Sequence, residues 1–267
     1  MKVNSLRLEK YGKNAWLFIW PEDPEEEKYF EAGQSALDNG ENEKARVCFK
    51  EALRISPWRF DILTNLAFTE KNSSDYEKRV QEAVNAGLKF FPKEFDFDSD
   101  LLEWGFHENR PFLRAYHNLG LVYWTKQDFA NAIKCFKQIL VWNPNDNQGV
   151  RGILADIFVF TKNWLEMIEL AKKYEDDSTP SILFGNALAL FKFGKIIEAE
   201  NAIQEAVEFN PLCAKELLKN KHKKPKNASD EYVTSGGKDE AFEFWEHQGR
   251  ASTWQEKDVK KWLKTKI

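Results

Sequence analysis

The chain has 267 residues, 42% of them hydrophobic and 31% charged, with a formal net charge of −4. These proportions fit a water-soluble domain or repeat array with a substantial core, and the mild acidity argues against whole-surface binding of nucleic acid or an anionic membrane. Three scattered cysteines make no disulfide framework, so the reducing cytosol, and hence a cytoplasmic location, is the expectation. Residues 1–10 are not followed by a signal-peptide core, and the longest early apolar run, 15–20, is far short of a membrane span.

In chain order, residues 1–24 form an aromatic N-terminal segment without a repeat, dense at Trp16, Leu17, Phe18, Ile19 and Trp20. The cluster is read first as packing against the helical hairpin that follows. The competing reading is an exposed patch through which the chain self-associates. Asp23-Pro24-Glu25-Glu26-Glu27 is a helix start: a capping carboxylate, a proline suited to the first helical position, and acids that complement the positive helix end. A first hairpin then spans 26–59, marked by Tyr29, Gly33, Gly40, Ala45, Phe49, Ala52 and Pro57. A degenerate second hairpin over 60–92 carries Leu63, Leu66 and Ala67 on its first helix, a capped turn at 72–75, and a second helix over 77–91. Residues 93–112 are too long for a turn between repeats, and their pattern predicts a short helix at 100–104 ended by Gly105.

The clearest unit is 113–146, with Tyr116, Leu119, Gly120 and Tyr123 on one helix, Ala132 and Phe136 on the next, and a stop at Asn143-Pro144. Gly33, Ala45, Phe49 and Pro57 each precede Gly120, Ala132, Phe136 and Pro144 by 87 residues, and Cys48 precedes Cys135 by the same interval. The fourth hairpin, 147–177, keeps only helical spacing, in Val150, Ile153, Leu154, Ile157 and Phe158 and then Leu165, Ile168 and Leu170. The fifth restores the marks: Ala187, Ala199, Ile203 and Pro211 follow Gly120, Ala132, Phe136 and Pro144 by 67 residues. Beyond Pro211 the pattern changes to a helix at 212–219, a basic, turn-rich stretch at 219–235, and amphipathic helices at 238–247 and 255–264.

These marks resemble the tetratricopeptide (TPR) repeat, a two-helix hairpin that buries its apolar face only by stacking on its neighbours. The resemblance implies an all-α fold: a right-handed α-solenoid of about five TPR hairpins over 25–211, with an insertion at 93–112 and a helical C-terminal cap over 212–267. Two narrower resemblances concern the C-terminal part. Residues 206–211, Leu217-Leu218, Gly237, Glu240 and Ala241 resemble the tail of the suppressor of tumorigenicity family; 108–115 and 143–151 resemble bacterial TPR proteins with a similar tail. Neither implies an enzymatic activity.

TPR architecture implies that the first helix of each hairpin lines a concave groove. Carried onto this sequence, the groove residues are Phe30, Gln34, Arg114, His117, Asn118, Leu121, Trp124 and Arg151. Arginines beside an aromatic suit a protein or peptide with an acidic or carboxylate end; the plainer alternative is that Arg114 and Arg151 pair with glutamates of neighbouring helices. The chaperone-tail clamp of lysines and asparagines has no counterpart at Phe30 and Gln34. No nucleotide, nucleophile-elbow or metal-site motif is present, so no cofactor, no metal and no catalytic residue is expected. The expected function is a non-catalytic protein-interaction scaffold. A self-associating assembly subunit is the first alternative, and an enzyme using His107, Glu108 and Arg110 of the insertion is the second. The basic run at 219–226 lacks interleaved aromatics and reads as a solvated loop.

Overall fold

A computed structural model describes residues 5–21, 23–226, 228–229 and 233–267. The described residues contain thirteen α-helices and one two-stranded sheet, in two compact units, Met1–Val150 and Arg151–Ile267.

The first unit holds three TPR hairpins: α1 (Pro24–Asp38) with α2 (Asn42–Ile55), α3 (Phe60–Ala67) with α4 (Ser73–Leu88), and α5 (Arg110–Thr125) with α6 (Phe129–Trp142). Helix α1 starts as its sequence dictates, with the Asp23 carboxylate accepting from the N–H groups of Glu25 and Glu26 at 3.0 and 3.2 Å and Pro24 in the first turn. The seams are built on close approach. A Cβ on Gly33 would lie 2.6 Å from the Phe49 ring, and one on Gly120 would lie 2.6 Å from the Phe136 ring. These pairs are related by the 87-residue interval, so the same contact recurs in two hairpins. The turns share a geometry too: Gly40, Gln127 and Gly194 occupy equivalent positions, all with left-handed backbone at φ of 73°, 60° and 84°.

Strands β1 (Arg7–Lys10) and β2 (Trp16–Ile19) pair antiparallel, with Arg7 opposite Ile19 and Lys10 opposite Trp16. This sheet is not clasped to the first hairpin alone, as the sequence predicts. Phe18, fully buried, packs its ring against Phe60 of α3, Phe112 of α5 and Phe91 beyond α4, at centroid distances of 5.3, 5.7 and 6.0 Å. Trp142, also fully buried, closes the cluster 5.6 Å from Phe112. Burying each such ring contributes about 1.5–3 kcal/mol, so the N-terminal strands are part of the core.

The helix predicted at 100–104 does not form. Leu101 instead pairs with residues 14–16: its N–H donates to the Asn14 carbonyl at 2.7 Å, and the Trp16 N–H donates to its carbonyl at 3.0 Å. The Trp16 indole donates to the buried Asp100 carboxylate at 2.7 Å. Asn109, fully buried, accepts from the Phe18 N–H at 3.1 Å and donates to the carbonyls of Trp16 and Glu103 at 3.0 and 3.3 Å. Extended backbone needs partners when buried, and here strand and insertion satisfy each other. The insertion therefore braces the N-terminal strands against the third hairpin.

The second unit begins within α7 (Val150–Thr161), and α8 (Trp164–Lys173) follows it. Helices α9 (Pro180–Lys192) and α10 (Ile196–Phe209) form the next hairpin, and α11 (Pro211–Leu217) packs on α10 with Cys213, Ala214 and Leu217 buried. After the 219–237 stretch come α12 (Lys238–Phe244), a π-helical turn at Trp245–Gly249, a 3₁₀ turn at Ser252–Gln255 and α13 (Lys257–Lys264). The three cysteines are unbridged; Cys135 and Cys213 are buried and Cys48 is half-buried.

Candidate interaction faces

In the first unit, Phe30 and Gln34 sit one turn apart on α1. Gln34 accepts from the Asn65 amide of α3 at 3.1 Å and donates to Asp38 at 3.1 Å, so it ties two first helices together along this face. On α5, Arg114, His117, Asn118, Leu121 and Trp124 recur at helical spacing on one side. Arg114 is exposed; the other four are half-buried. The His117 ring packs 5.8 Å from Phe136, its Nε2 is buried without a hydrogen-bond partner, and burial lowers its pKa, so it is a neutral wall residue.

Arg114 does not stand alone. Its guanidinium lies 5.5 Å from the Trp104 ring, and Arg110 lies 5.3 Å from the same ring while donating from Nε to the Trp104 carbonyl at 2.9 Å. Among the described residues, neither arginine has a carboxylate partner. Two cations on one indole make an open positive and aromatic patch. Arg151, in the second unit, is differently placed: its Nε pairs with Asp177 and its guanidinium lies 5.0 Å from the Tyr174 ring. The carboxylate-pairing alternative thus describes Arg151, whereas Arg114 stays available.

Beside α1 lies a cleft of about 920 Å³, walled by Trp20, Phe30, Arg59, Asp61, His107 and Glu108 among others. Arg59 is its buried centre. It grips Asp61 with two hydrogen bonds of 2.8 and 2.6 Å, donates to Glu26 at 2.7 Å, and sits 5.1 and 4.9 Å from the Trp20 and Phe30 rings. Burial pushes the Glu26 carboxyl up to about 7, against the pull of Arg59. Sequence reasoning expected Phe30 in the concave groove, did not foresee this cleft, and missed Arg59 and Glu26. The available signal was the alternation Trp58-Arg59-Phe60-Asp61 just after a helix-stopping proline.

His107 and Glu108 are exposed, and the Glu108 carbonyl accepts from the Trp20 indole at 2.9 Å. Tyr11 hydrogen-bonds Glu103 nearby, a contact that raises the Tyr11 pKa together with its larger cause, burial. Among the described residues no group of three or more His, Cys, Asp or Glu is arranged to hold a metal, and no helix is long and apolar enough to cross a membrane. The Cys135 and Cys213 thiols are both pushed up to about 12, chiefly by burial, which suits packing and disfavours nucleophilic attack.

In the second unit, residues 238–264 fold back onto α9, and Gln248 reaches Asp156 of α7. The Phe244 and Trp254 rings lie 5.2 and 6.2 Å from Phe184, and Trp262 stacks on Phe191 at 4.4 Å.

Stacked hairpins with glycine and alanine seams define a TPR protein, and solved structures agree on the fold. The MamA protein aligns with a TM-score of 0.51 at 17% identity, over 71% of this chain and 94% of its own. YrrB, described as a TPR protein with an unusual peptide-binding site, aligns with a TM-score of 0.51 at 13% identity, over 68% of this chain and 85% of its own. At such identities the likeness concerns the fold alone. The family is narrower: residues 41–267 match the family described as transcriptional repressor TCF25, and the chain belongs to it. That match runs through the 206–241 segment on which the narrower tail resemblance rests. No curated protein sequence matches the chain.

Proposed function

We propose that the chain is a non-catalytic protein-interaction module. It recognises a peptide or helix along the first-helix face of its first unit, with a carboxylate of the partner held by Arg110 and Arg114. The observation that carries this reading is the pair of guanidiniums on Trp104 with no carboxylate of their own among the described residues. Phe30, Gln34, Asn118, Leu121 and Trp124 supply the flanking surface, and His117 is a neutral wall. Arg151, paired with Asp177, is not needed for the grip. The family's description supports placing the interaction in transcriptional repression. A repressor acts where transcription occurs, so this reading favours a working pool outside the cytoplasm, contrary to the cytoplasmic expectation. Cell fractionation distinguishes the two.

The test is a comparison of peptides ending in a free carboxylate with the same peptides amidated. The wild-type chain is expected to prefer the carboxylates, and Arg110→Gln with Arg114→Gln to lose the preference while keeping its helical circular dichroism. Equal binding of both peptide forms, or an unaffected variant, overturns the assignment. Self-association through residues 16–20 is disfavoured, because Trp16 and Phe18 are 3% and 0% exposed. A dilution series followed by light scattering tests what remains of that reading.

A further inference from the structure

In the second unit, α7 and α9 are the first helices of their hairpins, and residues 238–264 lie against both. Three aromatic side chains anchor the segment: Phe244 and Trp254 on Phe184, and Trp262 on Phe191. Charge complements them, since Lys192 of α9 pairs with Asp258 at 3.0 Å and with Glu256. Gln248 reaches both helices, donating from Nε2 to Asp156 of α7 at 3.1 Å and to the Ser181 carbonyl of α9 at 2.8 Å.

We propose that this face is a second protein-binding surface and that residues 238–264 are its resident intramolecular ligand. The surface takes a partner segment of the same chemistry, with spaced aromatic anchors and an adjacent acidic pair, and the tail leaves before the partner enters. This proposal is independent of the carboxylate site in the first unit.

The tail also packs on α11. One feature separates a displaceable occupant from a permanent cap: part of the polar tail contact is left uncompensated. Gln248 Oε1, Thr253 Oγ1 and Trp254 Nε1 are buried without hydrogen-bond partners. Each such orphan weakens closure by about tenfold or more. Gln248 lies in the π-helical turn, a widened geometry that recurs at functional positions. The aromatic anchors keep the tail bound, while the orphaned groups lower the cost of its release.

The experiment uses the full chain. Hydrogen exchange at neutral pH is expected to show amides of 238–264 opening together, at least about 100-fold more often than the amides of α9 and α10. A synthetic peptide of residues 238–267 is then added in trans. It is expected to bind the Trp262→Ala chain at least about 100-fold more tightly than wild type, because the resident anchor is weakened. A Lys192→Glu chain is expected to release its tail, and a Glu256→Lys, Asp258→Lys tail to restore it; this charge exchange needs no core truncation. Tail amides that exchange only with global unfolding overturn the proposal, as does failure of the peptide to bind the Trp262→Ala chain.

Discussion

Replacing Asn109 by alanine isolates the joint between the N-terminal strands and the insertion. The amide makes three hydrogen bonds in a fully buried site: one accepted from the Phe18 N–H and two donated to the carbonyls of Trp16 and Glu103. The Phe18 N–H and Trp16 carbonyl belong to β2, which is covered by α3, α5 and the insertion, so water does not readily replace the amide. Leaving a buried group unsatisfied costs about 1–3 kcal/mol, and two such groups cost about 2–6 kcal/mol. Against a total stability of about 5–15 kcal/mol, that is a large fraction. At about 2–4 °C per kcal/mol for a chain of this size, the melting temperature falls by roughly 5–20 °C. Urea denaturation followed by tryptophan fluorescence measures the loss, since Trp16 and Trp142 lie in the affected core. Asn14→Ala is the control: its side chain is exposed and makes one bond, to the Ser99 carbonyl at 3.2 Å, so its cost stays below about 1 kcal/mol. An Asn109→Ala chain within 1 kcal/mol of wild type would refute the idea that this joint is a structural bolt.

Further outcomes follow from the same physical reasoning. Arg59→Ala removes a cation that pairs with three carboxylates and is expected to cost about 3–5 kcal/mol in chemical denaturation; Glu26→Gln, whose parent carboxyl is pushed up to about 7, stays within about 1 kcal/mol at neutral pH. Gln127→Gly relieves a left-handed turn position that is glycine at Gly40 and Gly194 and lysine at Lys162, and is expected to stabilise the chain by about 1 kcal/mol, read from the urea midpoint. Burial pushes the Asp156 carboxyl from 3.8 to about 7; the carboxylate of Glu243 adds to the rise, and hydrogen bonds from Ser181 and Gln248 oppose it. A folded pKa raised above the unfolded one means that the folded state holds the proton more tightly. Its contribution is therefore full below about pH 4 and fades as pH rises through 7. Asp156→Asn is expected to flatten that part of the pH–stability curve; an unchanged slope between pH 4 and 7 counts against the buried-acid account.

The helical hairpins could be read from the sequence because their determinants are local. A small residue opposite a ring, as in Gly33–Phe49 and Gly120–Phe136, needs only a fixed interval within one hairpin. The tail helices were visible for the same reason, since α13 shows its apolar residues at helical spacing. The N-terminal sheet was not. Its strands are four residues long, and a run such as Trp16–Ile19 has no period that separates strand from buried helix. Its partners lie elsewhere in the chain, with Ala15 bridging to Leu101. Repeat architecture puts Arg114, His117 and Trp124 on the first helix of their hairpin, which is α5. That Arg114 shares Trp104 with Arg110 depended on how the insertion folds. Gln248 lies just past the helix predicted at 238–247 and carries no local signal; the fold-back of the tail buries it.

The central claim is that Arg110 and Arg114 on Trp104 hold a partner's carboxylate. Titrating isotope-labelled chain with a carboxylate-terminated peptide, and following the Trp104 indole and the two guanidinium groups by NMR, tests it most directly. The account predicts saturable shifts at all three that vanish with the amidated peptide. Unmoved signals at Trp104 while the peptide binds elsewhere would contradict it.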